Sequence, residues 1–289
     1  MTKVFEVQNL CFTYPKAKTQ TIQSVSFNVE EGTIFGLLGP SGAGKSTTQK
    51  ILIKLLSDYE GTILYYGKDL NSYDKSFYEN VGVGFEMPVH FNKLTALENM
   101  KYFSSLYRNK VDYIALLKRV NLEDAINQEV SQFSKGMKVR LNFVRALLND
   151  PKVLFLDEPT NGLDPTNARI IKDMILELKQ QGKTIFITTH LMGDVEQLCD
   201  KVIFMKKGQV TNASSPRDLK IQYGKQEVTL EYLNNGSTTK KIFDLADLGK
   251  NPDFLATLNQ YQIETIHSGE TSLEEIFIKI TGDNHEESR

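Results

Sequence analysis

The sequence predicts an α/β fold whose central sheet is mainly parallel. Three short apolar runs, at residues 33–38, 153–156 and 184–188, lack alternation, which is typical of strands buried on both faces. A helical pattern at residues 168–181 lies between the last two runs. Strand, helix and strand joined by short links form the parallel α/β pattern.

Two further segments add to this core. The first thirty residues predict an antiparallel β subdomain, because apolar residues recur among polar ones and alternate from Val25 to Val29. Residues 89–149 have helical spacing and predict an inserted helical subdomain. Thr95 and Glu98 form the capping pattern with which one of its helices is expected to begin.

The composition shifts after Gly208, so residues 1–210 and 211–289 are interpreted as a large domain and a small α+β appendage. Residues 227–233 alternate, Asn235-Gly236 is a hairpin signal, and residues 240–243 form the returning strand. Ser272 and Glu275 open a helix that Gly282 is expected to end. The tail from Asp283 is predicted to be disordered.

The composition excludes some functions. A net charge of −2 gives no electrostatic case for nucleic acid as the main partner. The two cysteines do not have the spacing of a metal site or a disulfide framework, which fits a reducing compartment. No apolar run approaches the roughly 18 residues of a spanning helix, so a membrane role would require a partner protein.

A glycine-rich motif follows the first buried run and precedes a helical segment at residues 48–56. It matches the pattern G-x-x-x-x-G-K-[ST], whose inward-pointing backbone N–H groups cradle phosphate. The residues assigned to phosphate binding are Gly39, Pro40, Ser41, Gly42, Ala43, Gly44, Lys45, Ser46 and Thr47. Lys45 is expected to contact the β- and γ-phosphates, and Ser46 to ligate Mg²⁺. A P-loop NTPase core that binds ATP with Mg²⁺ is therefore predicted, and a glycine-rich turn without a ligand is the disfavoured alternative.

Two acidic residues complete this half of the site. Asp157 follows a buried strand, at the edge where open α/β sheets place their ligands, and is a candidate Mg²⁺ ligand. Glu158 comes next and is a candidate base for the attacking water. Alone, such a pair is more often a solvated strand end, and the phosphate loop favours the functional interpretation.

Three further segments resemble those of the ATP-binding cassette (ABC) ATPases. Residues 133–141, with the sequence FSKGMKVRL, resemble the ABC signature, and residues 161–165 resemble the D-loop. Residues 188–190 resemble the segment that carries the switch histidine. The order and spacing of these motifs agree with the family across residues 4–210.

The resemblance implies a role for each matching residue. Cassettes of this family pair head to tail, so Ser134 and Gly136 would contact the γ-phosphate bound by a partner subunit. Glu158 would act as the base, and His190 would bridge to the γ-phosphate. Asp164 would couple the two sites.

Tyr14 aligns with the aromatic residue that stacks on adenine in the family. Ordinary strand packing is the alternative for this side chain.

Two segments depart from the family pattern, and in the second, the signature, Met137 stands in place of the usual glutamine. Glu86 replaces the usual glutamine that contacts the metal and water, and it adds a charge beside Mg²⁺. Lys135 stands where the commonest signature has glycine, and it either approaches the partner's γ-phosphate or faces solvent. Both variants resemble the exporter branch in which the ATPase and the permease are separate chains.

This branch implies a peripheral ATPase at the cytoplasmic face of the cell membrane. It would power efflux of a drug, peptide or lipid-like substrate, and it would dimerise with itself or with a second cassette. An importer ATPase subunit and a soluble ABC ATPase remain as alternatives. The permease would dock in a groove that residues 84–105 are expected to line, among them Phe85, Met87, Phe91 and Leu94, unless these side chains belong to the core.

Overall fold

The computed structural model describes residues 2–87, 89–211, 213–224, 226–234 and 236–281. It divides into two compact units, Met1–Ser215 and Pro216–Arg289. In chain order, the strands of the larger unit are β1 (Lys3–Phe12), β2 (Ile22–Glu30), β3 (Ile34–Leu38), β4 (Glu60–Tyr65), β5 (Lys68–Asp69), β6 (Val81–Gly84), β7 (Val153–Asp157), β8 (Thr184–Thr189), β9 (Lys201–Lys206) and β10 (Gln209–Val210). Its α-helices are α1 (Lys45–Leu52), α2 (Ala96–Ser105), α3 (Tyr113–Arg119), α4 (Lys135–Arg145), α5 (Pro165–Gln180) and α6 (Met192–Leu198).

The central sheet of the larger unit has the strand order β10-β9-β3-β8-β7-β6. Its pairs are parallel except β9 with β10, which confirms the predicted mainly parallel sheet. Every residue of β3, β7 and β8 is buried, as their uninterrupted apolar sequences predict. Their carboxyl ends meet at one edge, so the segments that begin at Gly39, Glu158 and His190 start side by side.

An antiparallel sheet with the order β2-β1-β4-β5 packs against the central sheet. Strands β1 and β2 pair from Lys3 opposite Glu30 to Phe12 opposite Ile22, which confirms the predicted N-terminal β subdomain. The two sheets share aromatic contacts. Phe27 of β2 stacks on Phe35 of β3 with ring centroids 5.4 Å apart, and Phe35 stacks on Phe186 of β8 at 5.6 Å.

Helices α2, α3 and α4 occupy residues 96–145, as the helical spacing there predicts. Thr95 caps α2 in a capping box with Glu98, which was also predicted. The helix predicted at residues 48–56 is wrong in its extent, because α1 ends at Leu52. The chain leaves the helical conformation at Lys54, whose φ is +60°.

The smaller unit contains α7 (Pro216–Tyr223), β11 (Gln226–Asn234), β12 (Ser237–Asp244), α8 (Pro252–Gln260), β13 (Gln262–Glu270) and α9 (Leu273–Thr281). Its antiparallel sheet has the order β12-β11-β13, and the predicted hairpin is the pair of β11 and β12. Apolar side chains of this sheet and α8 form a separate small core. Ser272 begins α9 by accepting a 3.2 Å hydrogen bond from the Glu275 N–H. Two parts of these predictions lie outside the described residues. They are Asn235 of the predicted turn and the segment from Gly282 onward.

Within the described ranges, the chain forms no helix of the length and apolar character needed to cross a membrane.

Candidate functional site

The loop between β3 and α1 has a backbone that requires glycine at two positions. A Cβ atom on Gly39 would lie 2.2 Å from the Met205 carbonyl oxygen of β9, which is too short for any contact between a Cβ and an oxygen atom. Gly44 has φ +112° and lies directly before α1. The loop therefore wraps the positive N-terminal end of α1, which is a favourable site for an anion.

Lys45 is buried and folds back onto this loop. Its Nζ donates hydrogen bonds to the carbonyl oxygens of Gly39, at 2.7 Å, and Pro40, at 3.2 Å. Burial lowers the pKa of Lys45, and the nearby carboxylates of Glu158, Asp157 and Glu86 act in the opposite direction. An ammonium group bonded to two neutral carbonyl oxygens can exchange them for charged phosphate oxygens.

Ser46 and Asp157 lie side by side at the carboxyl end of β7. The Ser46 hydroxyl is 3.2 Å from Oδ2 of Asp157. The other carboxylate oxygen, Oδ1, accepts a short hydrogen bond from the Thr188 hydroxyl of β8. The hydroxyl and carboxylate provide adjacent hard oxygen atoms, which are the ligands that Mg²⁺ prefers.

Glu158 has φ +50° and a side chain that is only 6% exposed. Its Oε1 accepts hydrogen bonds from the backbone N–H of His190, at 3.1 Å, and from His190 Nδ1, at 2.7 Å. Its Oε2 accepts a 2.9 Å hydrogen bond from the Thr189 hydroxyl. Because a carboxylate only accepts, Nδ1 carries the proton and Nε2 of the half-exposed imidazole remains for another partner.

Tyr14 and Glu86 lie around the phosphate loop. The Tyr14 hydroxyl is 3.1 Å from Oγ1 of Thr47, and its ring packs edge-on against Phe12 with centroids 4.9 Å apart. Tyr14 packs against the core, as the packing alternative supposed, although it lies beyond the end of β1 and is not part of a strand. Glu86 is exposed two residues after β6, and it is close enough for its charge to act on Lys45.

The signature segment forms the start of α4. Ser134 is its N-cap and accepts a 3.2 Å hydrogen bond from the Met137 N–H. The alkyl chain of Lys135 lies over Gly162, close enough that a Cβ there would be 2.9 Å from Lys135 Cε. Asp164 caps α5 by accepting a 3.0 Å hydrogen bond from the Asn167 N–H, and bonds to Asn167 hold the pKa of its carboxyl below the usual range.

The structure thus brings Lys45, Ser46, Asp157, Glu158 and His190 to one edge of the central sheet. It places Lys135 and Gly136 instead beside Gly162 and Leu163 of the same chain, with Ser134 at the N-terminal end of α4. Sequence reasoning missed two buried polar side chains behind the first group. Gln49 is bonded to Thr188, which is bonded in turn to Asp157. The available signal for Gln49 was its spacing, one helical turn after Ser46.

Comparisons with known proteins agree with this geometry. A family profile described as "ABC transporter" matches residues 22–161. A fluoroquinolones export ATP-binding protein of Mycobacterium tuberculosis is 46% identical over 283 residues, which cover 97% of this chain and 94% of that protein. The chain belongs to the ABC transporter ATP-binding family.

Other relatives of this ABC ATPase agree with the assignment. A lantibiotic transport ATP-binding protein of Streptococcus pyogenes is 35% identical and covers 80% of this chain and 96% of its own length. A solved ATP-binding subunit of an ABC transporter has a TM-score of 0.69 at 29% identity, covering 76% of this chain and 93% of that one. A dimeric ATP-binding cassette in a post-hydrolysis state with ADP and phosphate has a TM-score of 0.67 at 27% identity, covering 73% and 98%.

The ABC ATPase therefore binds ATP and hydrolyses it as one subunit of a membrane transporter, and members of its family form dimers and work with permeases. A second profile, described as the C-terminal domain of a fluoroquinolone efflux ABC transporter, matches residues 226–270 of the smaller unit.

Proposed function

We propose that this ABC ATPase powers the efflux of a fluoroquinolone-like drug through a separate permease. One observation carries the proposal: similarity to the fluoroquinolones export protein continues beyond the ATPase core into the smaller unit. We assign residues 1–210 to the ATPase domain, with a helical subdomain at about 89–149, and residues 211–289 to an accessory region. The alternatives, an importer ATPase subunit and a soluble ABC ATPase, lack such support.

In this proposal the phosphates of ATP replace the present partners of Lys45. Its ammonium group now bonds to two loop carbonyl oxygens beside the N-terminal end of α1. The β- and γ-phosphates would provide stronger, charged acceptors at the same place. Residues 39–47 would supply backbone N–H groups, and Tyr14, held beside Thr47, would stack on adenine.

Lys45→Ala is expected to weaken ATP binding by about a hundredfold or more, because it removes charge-assisted hydrogen bonds to phosphate. Titration of the purified protein with a fluorescent ATP analogue measures this change. Lys50→Ala is the matched control, since Lys50 belongs to the same helix and is exposed. Equal affinities of the Lys45→Ala variant and the wild type would contradict the assigned role.

The residues present fit a magnesium ion. The Ser46 hydroxyl and the Asp157 carboxylate are adjacent, and Mg²⁺ is commonly held by one or two such groups together with water and substrate phosphates. No cluster of three or more metal-binding side chains occurs among the described residues, which suits an ion held largely by nucleotide. Bound there, the ion would neutralise charge on the phosphates. Exposed Glu86 would contribute a further oxygen or bind through water.

Glu158 would act as the general base for the attacking water. Three hydrogen bonds from Thr189 and His190 aim its buried carboxylate, so its position is defined before ATP binds. The remaining nitrogen of His190, Nε2, lies on a half-exposed ring and would bridge to the γ-phosphate. His190 would thus contact both Glu158, the base, and the γ-phosphate.

The ATP site would be completed by a second subunit arranged head to tail. Ser134 and Gly136 lie at the N-terminal end of α4, where backbone N–H groups favour an anion. Their described contacts are with α4 and the 162–163 segment, which leaves this helix end to face a partner's γ-phosphate. Lys135 would add a positive charge there, and Asp164, at the start of α5, would lie at the interface.

An apolar cavity of about 500 Å³ beside β6 would receive the permease. Its lining includes Phe85 and Phe91, as the sequence predicts, together with the guanidinium of Arg145, which lies 5.1 Å from the Phe103 ring centroid. Met87 and Leu94 are not among the lining residues. Several of its apolar lining residues are exposed, among them Val89 and Leu106, and exposed apolar side chains grouped around one groove mark sites of protein interaction. Docking there would hold the ATPase at the cytoplasmic face of the membrane.

Transport in vesicles tests the proposed cargo. The chain and its permease would be co-expressed, and inverted membrane vesicles would be assayed for ATP-dependent uptake of a fluorescent fluoroquinolone. We expect uptake with wild type and none with Lys45→Ala. Uptake of a lantibiotic-like peptide without uptake of the drug would reassign the cargo. ATP-dependent transport in the opposite direction, from the interior of these vesicles to the outside, would assign the subunit to an importer.

A further inference from the structure

We propose that Gln49 is a positioning residue, which holds the Asp157 carboxylate in place through the Thr188 hydroxyl. The inference rests on the proposed metal-binding role of Asp157 and adds a residue that acts behind it. Gln49 is 2% exposed on α1, and Ser46 precedes it by one helical turn, so both face the end of β7. Thr188 is fully buried and lies directly opposite Asp157 in the parallel register of β7 and β8.

The number of hydroxyl protons decides how the three side chains are connected. Oγ1 of Thr188 lies within hydrogen-bond distance of both Asp157 Oδ1 and the Gln49 amide, which is 3.2 Å away. A hydroxyl donates one proton, and the charged carboxylate at the shorter distance is the stronger acceptor. The proton therefore goes to Asp157, and the lone pairs of Thr188 face Gln49.

It follows that Gln49 donates to Thr188 through its NH₂ group. The opposite orientation places two acceptors face to face, because Gln49 Oε1 then meets a Thr188 oxygen whose proton is given to Asp157. Turning the amide gives a relay in which Gln49 donates to Thr188 and Thr188 donates to Asp157. Hydrogen bonds in one direction polarise one another, so the amide strengthens the bond to the carboxylate.

The relay fixes one edge of the carboxylate and leaves the other for a ligand. Oδ1 is held by Thr188, whereas Oδ2 contacts the Ser46 hydroxyl at 3.2 Å. If Ser46 turned its oxygen towards a metal ion, Oδ2 would lose that donor, and among the described contacts the relay alone would keep the carboxylate oriented. Gln49 should therefore affect metal affinity without contacting metal or nucleotide.

Binding of Mn²⁺, a spectroscopic substitute for Mg²⁺, tests the relay. Electron paramagnetic resonance titration would be done on the full chain saturated with a non-hydrolysable ATP analogue. We expect Gln49→Met to weaken Mn²⁺ binding about threefold to tenfold, by the loss of one hydrogen bond. Thr188→Val should weaken it at least as much, whereas Thr188→Ser, which keeps the hydroxyl, should retain most of the affinity. Binding of the analogue in EDTA should not change.

The double variant Gln49→Met/Thr188→Val separates a relay from a packing effect. If Gln49 acts through Thr188, the double variant binds Mn²⁺ as Thr188→Val does. Independent, multiplying losses would overturn the relay, as would wild-type affinity in Gln49→Met. Gln49→Leu provides a second apolar variant if Gln49→Met does not fold. Asp157→Asn tests the underlying proposal: unchanged Mn²⁺ affinity there would refute the metal site, whereas a loss there with none in Gln49→Met would refute only the relay.

Discussion

Glu158→Gln is expected to reduce ATP turnover by about 10²- to 10⁴-fold, the usual contribution of a general base, while leaving ATP binding intact. Glutamine keeps the size of the side chain and an oxygen that can accept from His190. Thr189 can turn its hydroxyl to accept from the new NH₂ group, so the surroundings require little adjustment. What is lost is the ability to take a proton from water.

Steady-state phosphate release and nucleotide titration measure the two properties separately. Size-exclusion chromatography with ATP should also show an accumulated dimer, because the variant binds ATP without hydrolysing it. Glu60→Gln is the control, since Glu60 is an exposed glutamate of β4. Normal turnover by Glu158→Gln would exclude Glu158 as the base.

The second large effect is a rescue of activity by mixing two inactive variants. Lys45→Ala disables the phosphate loop, and Gly136→Asp places a negative charge where the signature would meet the γ-phosphate. Each homodimer should lose about a hundredfold or more of its activity, as when transition-state donors are removed. In a head-to-tail heterodimer, both defects fall in one ATP site and the other site is intact.

An equal mixture of the two variants should therefore recover roughly a quarter of the wild-type activity, if subunits pair at random. Gly136→Asp is compatible with the fold, because a Cβ there meets its nearest atom at 3.4 Å and acidic residues suit the first turn of a helix. Its circular dichroism and thermal unfolding should match those of Gly136→Ala, the uncharged control. If the mixture stays inactive, the ATP site does not combine the loop of one copy with the signature of another.

Much of the larger unit could be predicted because its sequence signals are local. The uninterrupted apolar runs of β3, β7 and β8 and the glycine-rich loop each specify their own conformation. The caps at Thr95 and Ser272 were predicted for the same reason, since four consecutive residues contain the whole interaction.

Other elements depend on contacts that the sequence does not display. Strand β6 contains two glycines, and a Cβ at Gly82 would lie 2.0 Å from the Ala146 carbonyl oxygen, so tertiary packing selects glycine in what resembles a turn. Helix α1 ends early although Leu55 and Leu56 continue its apolar spacing. The contact of Gln49 with Thr188 joins residues that are 139 positions apart in the sequence, and a local sequence pattern does not predict a contact between such distant positions.

The close approach of Gly39 to β9 limits the mutations that could confer resistance to an inhibitor of this ATPase. Any side chain at residue 39 collides with the main-chain carbonyl of Met205, 2.2 Å from the position of a Cβ. Substituting residue 205 cannot relieve the collision, because every amino acid has that carbonyl group. An inhibitor that relies on the backbone of this loop would therefore retain its contact at residue 39, and escape mutations would have to arise elsewhere in the protein.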